Sequence, residues 1–142
     1  MNDSVQIRPF QQPEDFEPVI DLWDQSGPGV HLGRSDTFDE ISKKLIRDPE
    51  LFLVAEYMGE IIGAVVGGFD GRRGLVYHLA VSEMHRGQGI GKQLMSKVED
   101  ILREKGCLRS YLLITKDNPA MEFYEKLNWQ LLDLYVLGKD LQ

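Results

Sequence analysis

Within LAVSEMHRGQGIGKQLM, Leu79 to Met95, an apolar run stops and an apolar pattern of helical spacing begins, and between them Gly87, Gly89 and Gly91 crowd together with Arg86, Gln88, Ile90 and Lys92. Glycine lets the main chain approach a ligand closely, and the first turn of a helix carries four unpaired N–H groups and about half a positive charge. Backbone amides arranged in this way bind anions, a pyrophosphate among them. Arg72, Arg73, His85, Arg86 and Lys92 form the richest basic cluster of the chain and flank this stretch. Two other phosphate-binding devices do not fit. A Walker A loop requires glycine where Arg86 stands and a hydroxyl where Gln93 stands, and a G-x-G-x-x-G fingerprint requires its third glycine one residue after Gly91. An anion cradle and a tight turn that serves only packing remain the two readings of the glycines.

The elements that would position this stretch follow from periodicity. Val5 and Ile7 alternate as a short strand, Pro13 sits in the first turn of a helix carrying Phe16, Val19, Ile20 and Trp23, and Ser26 to Asp36 reads as a loop. Thr37 with Glu40 makes a capping-box pattern for a second helix, and this loop and helix are expected to line a pocket. LFLVAEY, EIIGAVVGGF and LVYHLAV follow as three strands with short links, hence an antiparallel meander. Leu94, Met95, Val98, Ile101 and Leu102 form the stripe of an amphipathic helix that Gly106 ends. SYLLIT is a strand, NPAMEFYEKL a short helix and LLDLYVLGKDL strand-like. The order β-α-α-β-β-β-α-β-α-β, with room for one more strand, predicts an α/β (α+β) fold, and the long helix makes the strand at Leu75 to Val81 parallel to that at Ser110 to Ile114.

Composition narrows the function. The 142 residues suit a single domain over 1–142, and no apolar run approaches the roughly 18 residues that cross a bilayer. The N-terminal MNDSVQIRPF does not resemble a secretory signal, so the expectation is a cytoplasmic protein without a membrane partner. A formal net charge of -7 argues against nucleic-acid binding, and the lone Cys107 leaves neither a disulfide nor a structural zinc site, so no metal is expected. Exposed edges on a mixed sheet invite pairing, which makes a homodimer an expectation.

Arg86-x-x-Gly89-x-Gly91 matches a Q/R-x-x-G-x-G/A signature, and the whole stretch, followed by SYLLITKDNPAMEFYEKLNW, resembles the GCN5-related N-acetyltransferases, or GNAT family, in particular its short stand-alone bacterial members. The similarity of element order covers nearly the whole chain. The resemblance implies a mixed, mostly antiparallel sheet flanked by about four helices, with strands four and five splayed around acetyl-CoA. It implies that main-chain groups of Leu79, Ala80 and Val81 bond the pantetheine arm and that the amides from Arg86 through Gly87, Gln88, Gly89, Ile90 and Gly91 to Lys92 cradle the pyrophosphate. The side chain of Asn118 would reach the cofactor, a role compatible with capping the helix behind Pro119.

Acetyl transfer from the thioester to a primary amine of a small molecule or peptide needs a neutral amine, because an alkylammonium with a pKa of about 10.4 has no lone pair. It also needs a weak acid beside the departing thiolate. Tyr124 occupies the position that resembles the family's general acid, although a tyrosine beside Phe123 and Leu127 also reads as core. For the base, YLLITKDN offers no glutamate, and Tyr77 and His78 lie on opposite faces of the fourth strand unless a bulge changes the phase. His78, His31, Glu56 and Glu60 are the candidates beside a water relay. The competing readings are a non-catalytic acyl-CoA-binding sensor and an unrelated nucleotide binder.

Overall fold

β-Branched and aromatic runs favour strands, and in the computed structural model, which describes residues 4–142, they form one sheet in the order β1-β2-β3-β4-β5. The strands are β1 (Gln6–Pro9), β2 (Phe52–Tyr57), β3 (Glu60–Phe69), β4 (Gly74–Val81) and β5 (Ser110–Leu112). Neighbours from β1 to β4 are antiparallel, and β4 with β5 is parallel, so the mixed, mostly antiparallel sheet expected from the link lengths is present. Met58 and Gly59, both at positive φ, make the tight β2–β3 turn.

Four helices cover the two faces: α1 (Phe16–Asp24), α2 (Phe38–Arg47), α3 (Ile90–Glu104) and α4 (Met121–Lys126). Alternation within the strands divides the core. Leu53, Ala55, Val65 and Val76 pack with α3, whereas Phe52, Val54, Ala64 and Val66 pack with Val19 and Trp23 of α1 and Ile41 of α2. The stripe of α3 is Ile90, Leu94, Met95, Val98 and Leu102, all buried. Gly106, at φ 88°, ends that helix as its position predicts, with Cys107 N donating to Leu102 O at 3.0 Å.

Four expectations need correction. Pro13 lies in the turn before α1, which starts at Phe16. Only half of the capping box forms, since Thr37 accepts from Glu40 N at 3.3 Å while the Glu40 carboxylate pairs with Lys43 at 2.7 Å. β5 stops at Leu112, and no strand follows α4 among the described residues; the β-prone LLDLYVL finds no partner, and Tyr135 and Leu137 are more than nine-tenths exposed. The basic cluster is also split. Arg72 and Arg73 sit before β4 and the other three after it, about 23 Å apart along an eight-residue strand at ~3.3 Å per residue.

Arg8 ties the entry of the chain together. Its guanidinium grips both oxygens of Asp15 at 2.7 and 3.0 Å and donates to Glu56 at 2.7 Å. Burial opposes the Asp15 charge, but the hydrogen bonds from Arg8 and from Gln11 N outweigh it and hold the carboxyl below its ordinary range.

Two outcomes are expected. A Cβ on Gly67 would stand 2.6 Å from Val98 Cγ2, so Gly67→Ala forces α3 off the sheet and lowers the unfolding free energy by about 1–3 kcal/mol in urea. The Asp15 contribution is complete above the unfolded value of 3.8 and is lost as pH falls through the lower folded value. Unfolding free energy should therefore fall more steeply below about pH 4 in the native protein than in Asp15→Asn.

Candidate active site

The parallel ladder between β4 and β5 has three rungs, Gly74–Ser110, Leu75–Tyr111 and Val76–Leu112, closed by Leu113 N donating to Val76 O at 3.3 Å. Past that point β4 stays on β3 and the chain after Leu112 leaves it. The gap is a cleft of about 320 Å³ with Tyr77, His78 and Leu79 on one wall, Leu113 and Ile114 on the other, and Tyr124 among its lining residues. The loop expected to line a pocket supplies Gly29, Val30, His31 and Ser35, whereas α2 supplies nothing to this cleft.

A bulge in β4 explains the divergence. Ala64 pairs with Ala80 and Val66 with Tyr77, so Val65 faces two residues, His78 and Leu79. Bulges bend a strand and sharpen its twist. The extra residue resets the side-chain phase: Tyr77 and His78 both turn toward α1, and Leu79 returns to the α3 side. His78 takes φ 56°, a left-handed conformation uncommon for a side-chain-bearing residue, and Trp23 Nε1 holds it by donating to His78 O at 2.9 Å. The His78 ring meets the Trp23 ring edge-on at a centroid distance of 4.9 Å, and its Nε2 lies 3.2 and 3.3 Å from the two oxygens of Asp36. Asp36 belongs to a 3-10 turn over Arg34–Asp36 and is fixed by Gly33 N at 2.8 Å. Burial works against its charge, yet the hydrogen bonds from His78 and Gly33 keep the carboxyl below its ordinary range.

After β4 a second 3-10 turn, Glu83–His85, leads into the glycines. Gly87 and Gly89 have φ of 80° and 84°, and a Cβ on either meets nothing within 4 Å, so backbone conformation alone demands glycine there. Gly89 caps α3, and Gln93 N donates to Gly89 O at 3.0 Å, leaving the amides of Ile90, Gly91 and Lys92 ahead of it without intrahelical acceptors. Gly91 differs: inside the helix, its Cβ would stand 3.2 Å from Phe123 Cζ of α4. Packing accounts for the third glycine. Ala80 is buried against the α1 side. Arg86 turns back and donates from Nε to Val81 O at 3.1 Å, occupying a carbonyl expected to face the cofactor.

Asn118 is not the N-cap of α4, a place taken by Ala120. Its Nδ2 donates to Gly29 O and its Oδ1 accepts from Ala120 N, both at 2.9 Å, so it ties the loop to the approach of α4 on the cleft wall. Tyr124 is 3% exposed, burial pushes its hydroxyl up to about 12, and no partner takes that hydroxyl among the described residues. His31 lies at the cleft and pairs with Asp117 at 3.2 Å. Glu56, bonded to Arg8, and Glu60 lie in a separate depression between α1 and the β2–β3 turn.

These elements define an acyl-transferase architecture, and the comparisons agree. The family model described as "Acetyltransferase (GNAT) family" matches residues 12–129. An acetyltransferase of Pectobacterium atrosepticum is 44% identical over 138 residues, 96% of each chain, and one of Yersinia pseudotuberculosis is 43% identical over the same length and share. Among solved structures, Ard1 of Thermoplasma volcanium superposes with a TM-score of 0.77 at 27% identity, covering 91% of this chain and 84% of that one. PaiA N-acetyltransferase of Thermoplasma acidophilum, in complex with coenzyme A, gives 0.79 at 21% identity, covering 93% of each. The chain belongs to the GNAT family and is an acetyltransferase, of a family that draws its acyl group from acyl-CoA.

Trp23 is 1% exposed, and removing its donor takes away the part-buried hydrogen bond that holds the His78 carbonyl at the bulge. Trp23→Phe should lower the unfolding free energy by about 1–3 kcal/mol in urea denaturation.

Proposed function

We propose that the protein transfers an acetyl group from acetyl-CoA to a primary amine of a small molecule or peptide by direct attack, with Tyr124 as the acid beside the departing sulfur. The observation that carries this reading is the buried Tyr124 in the cleft where β5 leaves β4, with no protein partner for its hydroxyl among the described residues. The chain fits the donor substrate at both ends. β4 beyond Val76 loses its β5 partner and offers main-chain groups at Leu79 to an extended arm. The left-handed Gly87 and Gly89, followed by the first amides of α3, offer N–H donors to a pyrophosphate, and no side chain at either glycine obstructs it. Ala80, Val81, Arg86, Gln88, Ile90, Gly91 and Lys92 belong to the same path through their main chain, and Asn118 reaches it on exchanging its bond to Gly29.

The thioester supplies the acetyl group, a C–N bond forming as the C–S bond breaks. Tyr124 remains protonated through the neutral range, because burial holds its hydroxyl at about 12. A thiolate, whose conjugate acid lies near 8.5, is the weaker base by about 3 to 4 units. Outright proton transfer from the phenol is therefore uphill. Tyr124 contributes a hydrogen bond to the developing charge, and protons freed by the amine restore the balance.

Calorimetry tests the donor and kinetics the acid. Acetyl-CoA should bind while ATP and NAD at equal concentration do not; absence of acetyl-CoA binding overturns the assignment of residues 86–92. Tyr124→Phe should lower kcat by about 10²-fold and leave the acetyl-CoA Kd within about 3-fold. Binding by the native chain without turnover of any amine in a broad screen would favour the sensor.

A further inference from the structure

We propose that Asp36 is a positioning residue that fixes His78, through its Nε2–H, as the proton acceptor for the incoming amine, an inference that rests on the acetyl-transfer reading above.

An ionised carboxylate only accepts, so the nitrogen 3.2 and 3.3 Å from the two Asp36 oxygens is the donor. In the neutral ring this assigns the hydrogen to Nε2 and leaves the lone pair on Nδ1. Among the described residues, the buried side-chain polar atoms without a partner are Gln12 Oε1, His85 Nδ1 and Ser110 Oγ. His78 Nδ1 is not one of them, and it takes no protein partner either, so it is open to solvent. Its ring lines the cleft that Tyr124 also lines.

The surrounding groups hold this arrangement. Asp36 is itself oriented by Gly33 N at 2.8 Å, and its side chain is 10% exposed, so its oxygens have little freedom to leave the ring. Trp23 and Tyr77 stand edge-on to the imidazole at 4.9 and 5.1 Å. Three features unusual in themselves converge on one side chain: a bulge, a positive φ on a residue other than glycine, and a desolvated carboxylate. Backbone strain of this kind persists where the surroundings over-determine it and clusters at functional sites. The cleft-lining residues include neither lysine nor arginine, so no fixed cation opposes a proton arriving on His78.

The proton balance closes. An ammonium loses two protons in becoming an amide. The first passes to Nδ1, making an imidazolium that keeps its Nε2–H on Asp36, and then to water. The second ends on the sulfur, so the products are the amide, the thiol and one proton. A substrate that is already neutral skips the first transfer, so the role of His78 belongs to acceptors that arrive as alkylammonium ions.

Two measurements on the full chain test this. Long-range 1H–15N spectra of histidine-labelled protein report the tautomer: His78 should carry its hydrogen on Nε2 in the native protein. Asp36→Asn offers an NH2 to that nitrogen and should move the hydrogen to Nδ1; a native Nδ1–H tautomer overturns the proposal. Turnover with acetyl-CoA is then compared for n-butylamine, an ammonium at neutral pH, and hydroxylamine, which is largely neutral there. Asp36→Asn and His78→Gln should each lower kcat/KM by about 10²-fold for n-butylamine and by less than about 3-fold for hydroxylamine. Equal losses on both amines, or none, overturn it. If the native enzyme uses neither amine, these two are simply not its acceptors, the broad screen decides the acetyl-transfer reading, and the tautomer measurement decides alone whether Asp36 fixes the ring.

Discussion

β4 shares eight residues with the sheet but is paired with β5 over only three of them, whereas its other edge stays on β3 to Val81. Unpaired main-chain groups inside a protein are costly unless water or a ligand satisfies them. A strand in the middle of a sheet that loses one neighbour midway therefore makes a slot, lined by backbone donors and acceptors at the regular spacing of a β-ladder. The positions of the glycine turn, Tyr124 and His78 all follow from where that ladder stops. The bulge at His78 and Leu79 sets the place, and Trp23 holds the bulge from the opposite layer.

Parts of this arrangement were legible in the residues because they depend on local rules. The capping Gly106, the α3 stripe and the meander follow from backbone freedom, helical periodicity and short links. The positive φ of Gly87 and Gly89 belongs to the same class. Features that depend on partners distant in the chain were not legible. Asp36 precedes the N-cap Thr37 and gives no local sign of an imidazole 42 positions away. The phase of β4 could not be read either, because a bulge is a property of two strands, and His78 changes face with it. One segment misled for a related reason: LLDLYVL has strand composition without a strand beside it. The contact of Gly91 with Phe123 is likewise set by a distant partner and gave no local sign.

Electrostatics operates locally in this chain. A net charge of -7 gives no general attraction for an anionic donor, and the arginines expected to help are dispersed. Arg73 lies over the Tyr111 ring at 5.9 Å from its centroid, and Arg86 folds onto Val81 O. What remains at the glycine turn is local: the unpaired first amides of α3 and its dipole, whose effect falls off within the first turn. On the side toward α1, the His78 ring lines the cleft with Asp36 behind it, and neither lysine nor arginine is among the lining residues.

The contact between Gly91 and Phe123 joins the glycine turn to α4 mechanically. It sets the first turn of α3 against α4, the helix that carries Tyr124, with the ring of Phe123 filling the space a side chain at 91 would need. The two positions trade volume: any gain at 91 must be matched by a loss at 123, or the phenol swings away from the cleft. Where a lineage of such enzymes drifts in sequence, these two sites are bound to drift as a pair, which keeps the Tyr124 phenol in its place relative to the first turn of α3.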